Sequence, residues 1–525
     1  MDVGPESIRK AGDLGSMGKK QGRGKRKTAH KITPNPRYSE RRLTSRAGLI
    51  PISRLMDRLG IEKMIDRTVS IVRGANADYG LGMTLKSITL GVISGCRHLS
   101  DVVRLGMDEA LMKTQGWESF PVLGSITRVM ERFDFRNCVE LSEVQKEARE
   151  KIWNKKWYGR VNVDFDSSAK SAYGHQEGVA RGHNTERSHK PMLNPLFAFI
   201  AQTGECLNAW LRPGNTHSAN GSVEFLKECL ALLPKQVWKV VVRADSAFFS
   251  AAFVRMIEQQ GCGYTIKVKT RGWKQLCSGL SWQKARGEDN LWTAEFDHQI
   301  EGWSRPRRFV AVRRLVGMET RETDGVLFAI PEYSYGLLVI NLGLTPLKTE
   351  QFYNKRAVAE NHIGAGKSQM AFGSMLAHEF WANHALLQAA VLAYNVMIWL
   401  QRMALDPHRW RERPNTLRAW LIYLAGRLLY TDGKWVLALS AGLPPRTRVG
   451  PHGKPSSLPD SFLTKRLPSI EIFKINRSGA SKTGCFCAPV PSSLLLLPPE
   501  ASGVAPRHTR VAQTGLACVR NPSRT

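Results

Sequence analysis

The chain has 525 residues, 42% apolar and 23% charged, which is long enough for several domains around a well-buried core. Lys and Arg number 76 against 45 Asp and Glu, a formal charge of +31, and that surplus points to a polyanionic partner, a nucleic acid or an anionic membrane surface. Nine cysteines make neither a disulfide framework nor a zinc spacing, and Cys485 and Cys487 are too isolated to complete four ligands. The first twenty residues lack the apolar core of a secretory signal. The longest apolar stretch, Ala385–Leu400, is interrupted by Gln388, Tyr394 and Asn395 and falls short of the ~20 residues a bilayer span requires. A cytoplasmic protein with no membrane partner is the expectation.

In chain order, residues 1–47 carry 13 basic and 4 acidic side chains without an apolar period, and read as a disordered basic arm. Residues 48–157 read as helical. Ile52, Leu55, Met56 and Leu59 form one apolar stripe, and Leu85, Ile88, Leu90 and Val92 another. In Ser125–Phe133 the apolar Ile126, Val129 and Met130 take one side of a helix, which leaves Arg128 and Arg132 four apart on its exposed side. Small helical bundles of this kind serve as DNA-binding parts; a packing domain with solvated arginines fits the segment equally well.

At Arg160 the period changes to two. Val161, Val163 and Phe165 share one face of a strand, and Asp164 and Asp166 the other. Leu196–Gln202 and Glu205–Leu211 flank Thr203-Gly204 as a hairpin. A helix over Ser222–Leu233, a strand buried on both faces over Trp238–Ala244, a helix over Ala251–Gln260 and a strand over Tyr264–Lys269 follow. Three strands in a meander, then helix, strand, helix, strand, make a mixed sheet with helices on its faces. Residues 270–345, with Trp273, Trp282, Trp292 and Trp303 among short strands, read as a β-rich insertion. Core aromatics are the main reading of Trp292 and Trp303, and base-contacting wedges the lesser one. Thr349–Arg427 reads as helical throughout. The proline-rich remainder, 447–525, reads as a disordered tail.

Three acids stand out by position. Asp166 ends the first strand. Asp245 follows the buried Val240-Val241-Val242, at the strand end where open α/β sheets place ligands, although an aspartate there also suits a helix N-cap. Glu360 shares a predicted helical stripe with Tyr353, Arg356 and Lys367, spaced 3, 4 and 7 apart, a pattern that a solvated charged face also produces. Gly364 and Gly366 weaken helix continuity to Lys367. Two strand-end aspartates and a helix glutamate supply the hard oxygen ligands that two Mg²⁺ or Mn²⁺ ions take. Such an ion pair stabilises both the attacking and the leaving oxygen of a phosphoryl displacement. Gly364–Ser368 mimics the end of a phosphate loop, but Asn361 stands where its first glycine belongs. His378, Glu379 and His384 have the wrong spacing for a zinc helix.

Tyr353-x2-Arg356-x3-Glu360-x6-Lys367 resembles the signature of DDE transposases of bacterial insertion sequences. Val163–Ser168, Tyr173–Gly178, Trp210–Ser218 and Arg243–Phe249 resemble the group 1 branch of that family, and the likeness covers roughly residues 40–443. It implies an α/β fold: an RNase H-like mixed-sheet core over 158–269 and 346–380, the β-rich insertion over 270–345, a helical DNA-binding domain over 48–157 and a C-terminal helical region over 381–446. It implies that Asp166, Asp245 and Glu360 are catalytic metal ligands, with Asp164 a weaker candidate for the first. Tyr353, Arg356 and Lys367 would touch transposon-end DNA, with Arg128 and Arg132 as further DNA contacts. Two Mg²⁺ or Mn²⁺ ions, inverted-repeat ends and target DNA as partners, a homodimer in the DNA complex and a place at the bacterial nucleoid complete the expectation. The alternatives are a catalytically silent DNA-binding relic or inhibitor of transposition, and another RNase H-like nuclease such as a resolvase. The tail after Leu443 resembles nothing in the family.

Overall fold

The computed structural model describes residues 40–440, apart from 73, 75–76, 154–157, 173, 183–189, 218, 270–271, 324–325 and 375. Residues 1–39 of the basic arm and the whole 447–525 tail lie outside the described residues, as does Tyr173. Among the described residues no helix is long and apolar enough to cross a membrane.

Nine strands form the central sheet: β1 (Arg160–Ser167), β2 (Leu196–Ile200), β3 (Cys206–Trp210), β4 (Lys239–Ala244), β5 (Gly263–Val268), β6 (Gln283–Lys284), β7 (Leu291–His298), β8 (Arg307–Thr323) and β9 (Val326–Ile340). Their spatial order is β6-β7-β8-β9-β5-β4-β1-β2-β3. β1, β2 and β3 are an antiparallel meander, and β4 and β5 run parallel to β1. The order 3-2-1-4-5 with that sense is the RNase H-like core the resemblance implies. The segment read as an insertion is not a separate sheet. β9 pairs with β5, so β6–β9 extend the core sheet on the side away from β3.

The two core strand ends are held by local chemistry. Phe165 of β1 meets Phe225, Phe253 and Phe248 edge-on at 5.7, 5.8 and 6.3 Å between ring centres, so helices Ser222–Ala231 and Ala251–Gln259 clamp one face of the sheet. The hairpin turn at Thr203-Gly204 needs its glycine. Gly204 has φ +77°, and a Cβ there would lie 3.0 Å from the His362 ring.

The helical segment and the sheet share one continuous core. Helix Phe135–Ile152 docks on β3 through a fully buried ion pair, Arg149 with Glu205 at 3.1 Å. The Trp153 indole N–H donates to the second Glu205 oxygen, and Arg149 donates to the carbonyls of Cys206 and Leu207. Helix Phe380–Ala404 is buried along most of its length, which explains its near-continuous apolar run. Its polar interruptions answer the buried free edge of β3. Gln388 donates to the carbonyl of Ala209, and Asn395 both donates to the Cys206 carbonyl and accepts from the Cys206 N–H. Tyr394 shares a 2.8 Å hydrogen bond with His362.

Three sequence expectations need correction. The C-terminal region is not helical throughout: Gly426–Thr431 and Lys434–Leu439 form a β-hairpin. Residues 40–47 are not simply arm, because Leu43–Thr44 pairs antiparallel with Gly426–Arg427 and makes a small three-stranded sheet. The helix carrying Arg128 spans only Leu123–Met130. Ile126, Val129 and Met130 are buried in it as expected, but Arg132 lies past its end. Trp292 and Trp303 both pack on protein, against Tyr333 at 5.5 Å and Phe249 at 5.3 Å.

Candidate active site

Two neighbouring parallel strands set the register of the site. β1 and β4 pair Asp164 with Arg243 and Phe165 with Ala244. The next residues on the two strands are Asp166 and Asp245, so both carboxylates leave the sheet side by side at its carboxyl edge, where adjacent strands are ~4.8 Å apart. The first of these rungs is electrically closed. Arg243 donates from Nε to Asp164 Oδ1 at 2.6 Å and from Nη2 to Oδ2 at 2.7 Å, and from Nη1 to the Phe352 carbonyl at 2.7 Å. Asp164, weighed above as an alternative ligand, therefore has both oxygens committed inside the sheet. The second rung is open. Asp166 binds the N–H of Ser167 at 2.9 Å, and Asp245 accepts from Ala247 N–H at 3.0 Å. Asp245 is not the N-cap of the following helix; Ser250 has that place, its hydroxyl accepting from Phe253 N–H.

Glu360 reaches the aspartates through one side chain. Nη1 of Arg356 lies 3.1 Å from Asp166 Oδ2, and Nη2 lies 3.1 Å from Glu360 Oε1. Arg356 is buried, while Glu360 is exposed. The stripe read as one helix is in fact two. Pro346–Asn354 ends before Arg356, and Ala357–Gln369 begins after it, so Arg356 sits in the break and turns back toward β1. The second helix continues through both glycines to Gln369. Gly366 is required by its neighbour, since a Cβ there would lie 2.3 Å from the Phe372 ring. Lys367 does not project freely. Its Nζ donates to the Ala169 carbonyl at 2.7 Å and Ser168 Oγ at 3.2 Å, which ties the helix to the loop just after Asp166. Tyr353 places its ring 6.0 Å from the Arg356 guanidinium. Arg128 and Arg132 are exposed and, among the described residues, bond the backbone carbonyls of Gly124 and Val72 respectively; the structure does not bring them to these acids.

The electrostatics follow from this crowding. Burial first, and the like charge of Asp245 as well, push the Asp166 carboxyl up to about 6, against the pull of Arg356. Burial works against the charge of Arg356, but Asp166, Tyr353 and Asp245 outweigh it and hold the group above the usual arginine range. Burial also pushes the Tyr353 phenol up. Two adjacent carboxylates of this kind are a donor set for a hard divalent cation, all oxygen and with excess negative charge. Among the described residues no three His, Cys, Asp or Glu side chains are already gathered around one point, because Arg356 stands between Asp166 and Glu360. Arg243 was missed from the sequence. Its signal was legible: an arginine inside a strand buried on both faces needs a carboxylate on the same rung, and period two offers Asp164.

The family described as transposase DDE domain group 1 matches residues 36–450. None of the curated proteins compared with the chain matches it. Among solved structures, the piggyBac transposase synaptic complex with hairpin DNA, determined by cryo-EM, is similar at 11% identity with a TM-score of 0.37, over 73% of this chain and 81% of that one.

Proposed function

The chain belongs to the transposase DDE domain group 1 family, and from that premise we propose that it cuts DNA at the ends of an insertion sequence and transfers the freed 3′-OH into target DNA. The observation that carries this reading is the open rung: Asp166 and Asp245 side by side at the ends of parallel strands, with Glu360 joined to Asp166 through Arg356. Asp166, Asp245 and Glu360 would hold the divalent ions, Mg²⁺ or Mn²⁺, two in number. Bound there, such ions supply water activation and Lewis-acid stabilisation of the phosphoryl charge.

The chain's own residues do the rest by position. Phosphate oxygens compete with carboxylates for a guanidinium, so an incoming DNA strand takes Arg356 away from Asp166 and Glu360 and leaves three acids facing the site. Lys367 fixes the loop after Asp166 and keeps an ammonium at its edge. Tyr353, stacked near Arg356, offers its hydroxyl or ring face to the same strand. Asp164 and Arg243 act as a rigid support one rung below. The partners are transposon ends and target DNA, and two ends call for two copies of the chain.

The test is strand cleavage on a duplex carrying the element's own ends, with Mg²⁺ or Mn²⁺. Wild type should cut only with metal, whereas Asp166→Asn, Asp245→Asn and Glu360→Gln should bind the duplex and leave it intact. Wild type that binds and never cuts with either metal would establish the silent relic instead.

A further inference from the structure

The rung that carries the two aspartates reaches a third strand. Arg243 of β4 pairs with Asp164 of β1 on one side and with Thr265 of β5 on the other. Residues paired across neighbouring strands share a side of the sheet, and so does every second residue along a strand. Two residues further along the three segments stand Asp166, Asp245 and Lys267. Adjacent strands are ~4.8 Å apart, so Lys267 stands one strand spacing from Asp245 and two from Asp166, on the same face.

Its surroundings set it apart from a solvated surface lysine. The other five residues of β5 are buried, and Lys267 is exposed. On its far side it pairs with Leu338 of β9, whose same-face neighbours Gly336 and Ile340 carry no charge. Helix Pro346–Asn354 closes the rung below, where the Phe352 carbonyl accepts from Arg243. The Glu350 carboxylate of that helix is taken by Arg314 at 3.1 Å. The Lys267 side chain makes no hydrogen bond or ion pair with any described residue. Lys269 follows just past the strand end and is exposed as well. Cations therefore bracket the two aspartates. Arg356 and Lys367 stand on the β1 side, both engaged by protein groups. Lys267 stands on the β5 side and is open.

We propose that Lys267 binds the DNA phosphate next to the scissile one on the strand being cut, with Lys269 meeting a more distant phosphate of the same strand. A polynucleotide laid across the strand ends presents phosphates in a line. With one of them at Asp166 and Asp245, the next falls toward β5. An ammonium on a flexible four-carbon stem suits a phosphate whose position varies slightly between ends, and Lys267 and Lys269 are ~7 Å apart along the chain. Charge selects the ligand: a cation placed one strand from a carboxylate and paired with none is free for an incoming anion.

The contact rests on the transposase reading, and its test can fail separately from it. Each phosphate flanking the cut on an element-end duplex is replaced in turn by a neutral methylphosphonate. Equilibrium binding and cleavage are measured for wild type, Lys267→Gln, Lys267→Arg and Lys227→Gln, the last an exposed lysine on the helix that covers the opposite face. Lys267→Gln should melt with wild type, because the side chain it alters is exposed and unbonded. At one position beside the cut, neutralisation should weaken wild-type binding roughly ten-fold. It should weaken Lys267→Gln no further, whereas Lys267→Arg and Lys227→Gln keep the wild-type sensitivity. Such non-additivity marks a direct contact; a general loss of charge or a folding defect affects all positions alike. Wild-type sensitivity of Lys267→Gln at every position overturns the proposal while cutting by wild type stands. So does a Lys267→Gln protein that cuts normally and fails only in strand transfer, which makes the contact one with target DNA. If wild type binds the duplex and never cuts, the transposase reading fails alone, and the binding data still decide: coupling to one phosphate supports the contact and its absence overturns it. Wild type that binds no duplex overturns both.

Discussion

One arginine decides the state of the site. Arg356 neutralises Asp166 and Glu360 at once, so it competes with any cation for the same oxygens. Removing it should tighten Mn²⁺ binding by the DNA-free protein by roughly ten-fold, about 1.4 kcal/mol, while weakening binding to a duplex. Titration calorimetry on wild type and Arg356→Gln reads both, and equal Mn²⁺ affinities would remove the competition. One rung below, Arg243 and Asp164 are both buried and bonded through two parallel hydrogen bonds. Arg243→Met leaves a buried carboxylate unpaired and should cost about 3–5 kcal/mol, seen as a large drop in Tm. Arg243→Lys should recover little, because a single ammonium cannot match the fork.

The elements differ in how well the sequence announced them. The alternation of Val161–Asp166, the apolar run before Asp245 and the helices between them were legible because each obeys one period. The break between Asn354 and Ala357 was not, since no proline or glycine marks it, and the Arg356–Asp166 contact beside it is a tertiary one. The C-terminal hairpin was legible and overlooked. Asp432-Gly433 is a strong two-residue turn signal, and both residues have positive φ, +52° and +72°. Helix Phe380–Ala404 carries a pH dependence of its own. His384 is fully buried against Trp381, and burial lowers its pKa to about 4. A histidine whose folded value lies below its unfolded ~6.5 gives stability above pH 6.5 that is lost as pH falls toward 4. The Tm of wild type should therefore fall across that window, and the fall should be shallower in His384→Gln.

Charge and connectivity are properties of the whole molecule. A protein of net +31 that neutralises several phosphates should lose DNA affinity steeply with salt, log K falling by about 0.9 per log unit for each phosphate contacted. The slope should persist in Asp166→Asn and Glu360→Gln, because those residues carry no phosphate contact. A flat salt profile would count against the polyanion argument. Composition revealed that partner class at once, whereas the extension of the core sheet by β6–β9, which depends on β9 pairing with β5, could only be seen in the structure. Connectivity has a consequence in time. Leu43–Thr44 finds its hydrogen-bonding edge on Gly426–Arg427, and Glu40 meets Arg427 across 387 positions of chain. A ribosome reading this message must make everything between before that first strand has a strand to pair with. The small sheet is thus the last part of the described fold able to close, and a chain cut short before residue 426 would keep every acid of the site yet leave its opening strand without a partner.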